Sequence, residues 1–327
     1  MKRIASVLVA VVLLVVVVER TTLPAEAAPI VDGTRDAQYG SALAVQTVET
    51  GFGDNFSELD AAYGLIDSGK LYLMLTGNIE ANFNKLEIFV DSKAGGQSTF
   101  TSAGNDNANR MNGLVFDAGF AADYHLIVRR GTDAGNDKFD IDFADLGAAT
   151  FSSYSDIFGG LTGSATTGTG VNAVGIDVGY DNGNVAGVLG GTGAANQAAA
   201  AAVTTGLELG IALGDLDWVS DPIRVMVGQN GSGHDYWSNQ FLAGLLAPQG
   251  NLGGDELGGF TGEGAIDMTH FAGDQFVTVG PESVPEPSTI VLLALGLTAL
   301  AASGRRAKNT ESMGSHGING INGESMA

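Results

Sequence analysis

The chain has 327 residues, 37 of them acidic and 15 basic, for a net charge of −22, and it has no cysteine. A negative surplus of this size excludes nucleic acid as a partner, because phosphate binding is driven by cationic side chains, and the missing thiols exclude a disulfide scaffold, a thiolate metal centre and a cysteine nucleophile. With 49 glycines in a chain that is still 44% hydrophobic, the composition points to many tight turns around a real core rather than to long helices or a linker.

In chain order, Lys2 and Arg3 precede an apolar run from Ile4 to Val18, and Ala25-Glu26-Ala27 forms a small-x-small cleavage site. Residues 1–27 therefore read as a secretory signal peptide, with the mature chain starting at Ala28. The acidic, glycine-rich body spans 28–281. Its first strands are expected in "SELDAAYGLID", closed by the turn Asp67-Ser68-Gly69, then in Lys70–Asn78 and Asn84–Ser92, the three forming a meander. Tyr124–Arg130 and Lys138–Leu146 are expected to pair across Gly131–Asp137. In the second of these, Phe139, Ile141 and Phe143 alternate with Asp140 and Asp142, which predicts one buried face and one acidic, wet face.

"GGLTGSATTGTG", residues 159–170, reads as a low-complexity connector. "VNAVGIDVGY", "GLELGIAL", "IRVMVGQN" and "QFVTVG" are further strands, and Ala194–Val203 is either the one helix or a loop of small residues. The strand rhythm resumes unchanged after the connector, so one sheet system is expected to continue past it. The fold class is all-β, a β-sandwich or jelly roll, because that architecture buries many alternating strands.

Candidate ligand residues fall in two groups. Sugar binding needs aromatic faces with polar neighbours. Trp218 and Trp237 are the only tryptophans, and "GSGHDYWSNQF" places His234, Asp235, Tyr236 and Trp237 in one glycine-flanked stretch. Tyr236, Trp237 and Trp218 are the candidate ligand-binding residues; the alternative is that Trp237 fills the core while Asn239 or Gln240 satisfies a turn. Oxygen ligands for Ca²⁺ are offered by Asp133, Asn136, Asp137 and Asp140, and by Asp181, Asn182 and Asn184. The same residues are also ordinary hairpin-turn chemistry, and neither stretch has EF-hand spacing. There is no Gly-x-Ser-x-Gly, His-Glu-x-x-His or P-loop, so catalysis is not expected.

Near the end of the chain, Val284, Pro285, Glu286 and Pro287 form an extended stretch that cannot lie inside a helix. Ile290 to Ala302 follows, apolar on all sides. Counted from Ser288 to Gly304, the segment reaches only the lower limit for a membrane span, and Arg305 and Arg306 supply a cytoplasmic flank. This order, a Pro-Glu-Pro triplet, a short apolar transmembrane helix and an arginine pair, resembles the PEP-CTERM sorting signal of exported proteins of Gram-negative bacteria. The resemblance covers about Val284 to Arg306, within a sorting segment of residues 282–306. It implies an exosortase as processing partner, a transient inner-membrane anchor, and a final place at the cell surface or in the extracellular matrix. It also implies a structural or adhesive role in a polysaccharide-rich layer, with specific exopolysaccharide binding as the alternative. Family members usually stop soon after the arginines, whereas here residues 307–327 continue as a polar tail expected to be disordered.

The body has a looser resemblance. "PIVDGTRDAQYG", "LYLMLTGNIEANFNKLEIFVDSKAGG" and "GLELGIALGDL" are similar in order to family 9 carbohydrate-binding modules and related DOMON-like sandwiches. Asp32, Gly33, Asp36, Asp91 and Glu208 stand at matching places, and Tyr39 stands where those modules commonly have Trp. The likeness bears on the fold more than on the activity.

Overall fold

The computed structural model describes residues 27–260 and 266–280. The signal-peptide segment with Ala25, the sorting segment with its apolar run and arginine pair, and the tail lie outside the described residues. Ala27 is just inside them, exposed, its carbonyl accepting a hydrogen bond from Gln38 Nε2 at 3.0 Å. Contacts divide the chain into a unit ending at Val279 and one starting at Gly280, and the strands belong to the first. No helix among the described residues is long and apolar enough to cross a membrane.

The strands in chain order are β1 (Ala44–Val45), β2 (Glu58–Asp67), β3 (Lys70–Asn78), β4 (Asn82–Asp91), β5 (Tyr124–Asp133), β6 (Asn136–Asp145), β7 (Thr150–Tyr154), β8 (Thr162–Thr166), β9 (Asp177–Asp181), β10 (Gly206–Ala212), β11 (Ile223–Asn230), β12 (Trp237–Leu242) and β13 (Val277–Val279). They form two antiparallel sheets, ordered β1-β2-β3-β10-β9-β8 and β12-β11-β4-β5-β6-β7, with β13 sharing one edge of β11 with β12. The fold is thus an all-β sandwich. The single α-helix among the described residues, α1 (Gln197–Ala202), falls within the alanine-rich stretch, and Asn196 Oδ1 caps it by accepting from Ala199 N at 3.2 Å.

The alternation in the sequence explains the core. Leu71, Leu73 and Leu75 of β3 face Leu86, Ile88 and Val90 of β4 and Phe139, Ile141 and Phe143 of β6 between the sheets. Each such side chain contributes about 1.5–3 kcal/mol when fully buried. The opposite faces are buried as well. Tyr72 and Met74 pack with Tyr39, Ala61 and Tyr63 beneath the N-terminal segment. Phe89, Ile127 and Met226 pack with Phe100, Met111, Phe116 and Trp237 beneath the long β4–β5 connection and the segments after β12.

Three expectations are corrected. The meander does not form: β2 pairs with β3, but β3 pairs next with β10, and β4 joins the other sheet beside β5 and β11. Local alternation carries no information on which sheet a strand enters. The acidic face of β6 is not wet: Asp142 is fully buried, its Oδ1 3.3 Å from Arg129 Nη1, because the β4–β5 connection covers it. The connector at 159–170 contains β8, an edge strand that needs only ladder bonds to β9. Its Gly163 leaves room for the Phe158 ring, which a Cβ would strike.

Candidate functional site

The most developed surface feature is built on the loop between β11 and β12. The loop closes on itself through Gly231 N to Tyr236 O at 2.9 Å and His234 N to Gly231 O at 3.0 Å, and Asn230 Oδ1 accepts from both Gly231 N and Tyr236 N. His234 takes a left-handed φ of 58°, which turns its ring inward. There it meets Glu87 of β4, with Nδ1 2.6 Å from Oε1, and Asp106, with Nε2 3.2 Å from Oδ2. The other oxygen of Glu87 lies 2.8 Å from His125 Nε2 of β5. Asp106 is also held by Lys85 at 2.7 Å and Arg129 at 3.4 Å.

Electrostatics make this anchor firm. Burial alone would push the His234 imidazolium down, but the Glu87 carboxylate and the bond to Asp106 override it and hold the ring up at about 9. Burial would likewise raise Glu87, and the two histidines outweigh it, holding the carboxyl at about 2. A buried charge survives only when it is paired and hydrogen-bonded in this way.

Above the anchor, three aromatic rings lie in a row. Tyr236 stacks on Phe52 at 6.1 Å with 14° between planes, and on Phe260 at 5.7 Å with 26°. The Tyr236 hydroxyl donates to Gly258 O at 3.1 Å, which fixes the ring. The rings border an open groove of about 430 Å³, completed by Asn84, Ser232 and Asp235. Asp235 is paired at 2.6 Å with Arg110, which comes from the covering segment Asn105–Met111.

The family model for the PEP-CTERM protein-sorting motif matches residues 283–306. The chain carries a PEP-CTERM sorting motif. The match includes Val284, Pro285, Glu286, Pro287, Arg305 and Arg306, and it implies an exported protein processed by an exosortase. Comparison with curated proteins and with solved structures gives no match, so the likeness of the body to family 9 carbohydrate-binding modules rests on its residues alone. The PEP-CTERM motif bears on export and processing and says nothing of the sandwich's own surface.

Four of the residues behind that second likeness, Asp32, Gly33, Tyr39 and Glu208, do meet. Glu208 of β10 accepts from Tyr39 Oη at 2.8 Å, Asp32 N at 2.9 Å and Gly33 N at 3.1 Å, which docks the N-terminal segment onto the sheet. Burial first, partly offset by those donors, raises its carboxyl above the usual range. Asp36 closes its own turn by accepting from Ile30 N, and Asp91 stands apart at the end of β4, 3.2 Å from Arg224.

The sequence candidates separate. Tyr236 is in the groove. Trp237 begins β12, is 2% exposed and stacks on Phe241 at 5.3 Å, so the core-filling alternative describes it and it is not available to a ligand. Trp218 is half-buried against the main core, with Nε1 donating to Asp221 O at 2.6 Å. Asp133, Asn136, Asp137 and Asp140 sit on the β5–β6 hairpin, where 137 and 140 project from opposite faces of the strand. Asp137 is near Arg130 at 3.6 Å and Asp140 near Arg129 at 3.5 Å. No group of three or more His, Asp or Glu with metal-holding geometry occurs among the described residues.

Sequence reasoning missed Phe52, Phe260, Glu87 and His125. The signal for the last two was present: each is an ionisable residue in the middle of a strongly apolar strand, "KLEIFV" and "YHLIV".

Proposed function

We propose that the exported body is a structural and adhesive component of a polysaccharide-rich layer, held to that layer by the aromatic row of Phe52, Tyr236 and Phe260. The observation that carries this reading is the row itself: stacked rings along an open groove, beside Asn84, Ser232 and the Asp235–Arg110 pair. The apolar face of a pyranose packs on such rings while flanking polar groups bind its hydroxyls. The buried His234–Glu87 anchor keeps the loop in place before a ligand arrives, which lowers the ordering cost of binding. Net charge of −22 favours a neutral polysaccharide over a uronate-rich one. The reading is of binding without catalysis, since the acid in the groove is tied to Arg110.

Calorimetric titration and retention on immobilised neutral polysaccharides test it. Saturable binding is expected, lost in Tyr236→Ala and weakened in Phe260→Ala with the melting temperature kept. Binding that both variants leave intact, or no saturable binding to any neutral polysaccharide, overturns it.

A further inference from the structure

A second buried acidic cluster lies where β2 and β3 meet the loop after β9. Glu58 and Asp60 of β2 are both 0% exposed and Asn78 of β3 is 1% exposed. Of the other acids with no exposed surface, Glu87 and Asp142 face histidines and an arginine, and Glu208 accepts from a hydroxyl and two backbone N–H groups; among the described residues Glu58 and Asp60 have no cation. They face the side chain of Asn184. Its Nδ2 has Glu58 Oε1 at 3.1 Å, Asp60 Oδ2 at 3.3 Å and Asn78 Oδ1 at 3.4 Å, with the Ala186 carbonyl closer still.

A carboxamide nitrogen carries two hydrogens. The nearest acceptor, Ala186 O, takes one, so at most one of the three buried side-chain oxygens takes the other. At least two buried oxygens therefore point at a place no donor serves. The turn entering β2 adds to the imbalance: Asp54 Oδ1 and Asn55 Oδ1 are buried without a hydrogen-bond partner, and Asn55 N reaches Glu58 Oε2 at 3.0 Å. Gly187 leaves room for the cluster, since a Cβ there would strike the Asp60 carboxylate.

We propose that Glu58, Asp60, Asn78, Asn184 and the Ala186 carbonyl form a calcium site. Two carboxylates balance the charge of the ion, and the neutral ligands are amide and carbonyl oxygens. Turning the Asn184 carboxamide over exchanges its nitrogen for a further oxygen. Ca²⁺ accepts such an irregular set of six to eight oxygens, whereas Mg²⁺ demands a near-octahedral shell. The absence of imidazole and thiolate from the set disfavours zinc. The ion would tie β2 and β3 to the Asn182–Gly187 loop. This inference is independent of the sugar-binding reading.

The test uses purified protein stripped with EGTA, titrated with CaCl₂ by calorimetry and followed by thermal melting at constant ionic strength. One equivalent is expected to bind, with a rise in melting temperature. Glu58→Gln and Asp60→Asn are each expected to weaken binding by more than the roughly tenfold that loss of a supporting partner costs. Asn184→Asp, which adds a third carboxylate, is expected to tighten it. No saturable binding by the folded parent protein, an equal rise with MgCl₂ or KCl, or unchanged affinity in Glu58→Gln and Asp60→Asn overturns the site. Should those two variants fail to fold, unchanged affinity in Asn184→Asp overturns it.

Discussion

The two sheets each bury carboxylates completely, and they treat them differently. Glu87, on the sheet covered by the β4–β5 connection, sits between His125 and His234, with Lys85, Arg129 and Asp106 one step further out. Glu58 and Asp60, on the other sheet, each accept one backbone N–H, from Asn55 and Val188, and share the one amide of Asn184 for a remaining oxygen. Glu208 is intermediate: it has no cation among the described residues but accepts from a hydroxyl and two backbone N–H groups. Burial is equal in the three places, so what faces the carboxylate decides whether it can hold its charge.

The sharpest way to break the comparison is to remove the cation from the satisfied side. His234→Ala leaves Glu87 with one histidine in a sealed environment, and breaking a buried pair costs about 3–5 kcal/mol; urea denaturation is expected to show a loss of that size. The next largest effect is in pH. His234 is held at about 9, above its ordinary 6.5, so its share of stability is full below about 6.5 and is lost as pH rises through about 9. Glu87 is held at about 2, below 4.5, so its share is full above about 4.5 and is lost as pH falls through about 2. The stability difference between parent and His234→Gln is therefore expected to peak between about pH 4.5 and 6.5 and to shrink on both sides; a flat difference would remove the ion pair from the account.

Smaller effects sharpen the gradation. Tyr39→Phe deletes one neutral donor to Glu208, and about 1–2 kcal/mol is expected to go with it. Glu58→Gln is expected to act in the opposite sense: in EGTA above pH 8, where the carboxyl that burial raises to about 8 is ionised, it removes a charge with no cation beside it, and stability is expected to rise by on the order of 1 kcal/mol. A loss there would mean that the bonds from Asn55 N and Asn184 outweigh the missing cation in the metal-free protein.

Much of the sandwich is legible in the sequence because its strands alternate cleanly. Lys70–Asn78 and Ile223–Asn230 have the bounds read from the sequence, and the β5–β6 hairpin forms about its expected turn. The failures share a cause. "WSNQF" is polar, yet it is a buried strand, because Asn239 and Gln240 hydrogen-bond backbone groups of Val48 and Glu49 that lie about two hundred residues earlier in sequence. Asp142 reads as solvent-facing because nothing local announces that residues 92–123 fold over its face of β6. The groove was half visible for the same reason: Tyr236 is in the suspect stretch, but Phe52 and Phe260 reach it only through tertiary contact.

The docking of Asp32, Gly33 and Tyr39 onto Glu208 has a consequence for the order of assembly. The partners are separated by 169 to 176 residues, so the segment synthesised earliest in the body has no seat until β10 exists. Closing so long a loop is slow, and chains dominated by non-local pairings fold slowly as a class. The hairpins of the first half can pair locally, but the sandwich cannot complete itself, nor its N-terminal segment find its seat, until β10 has followed.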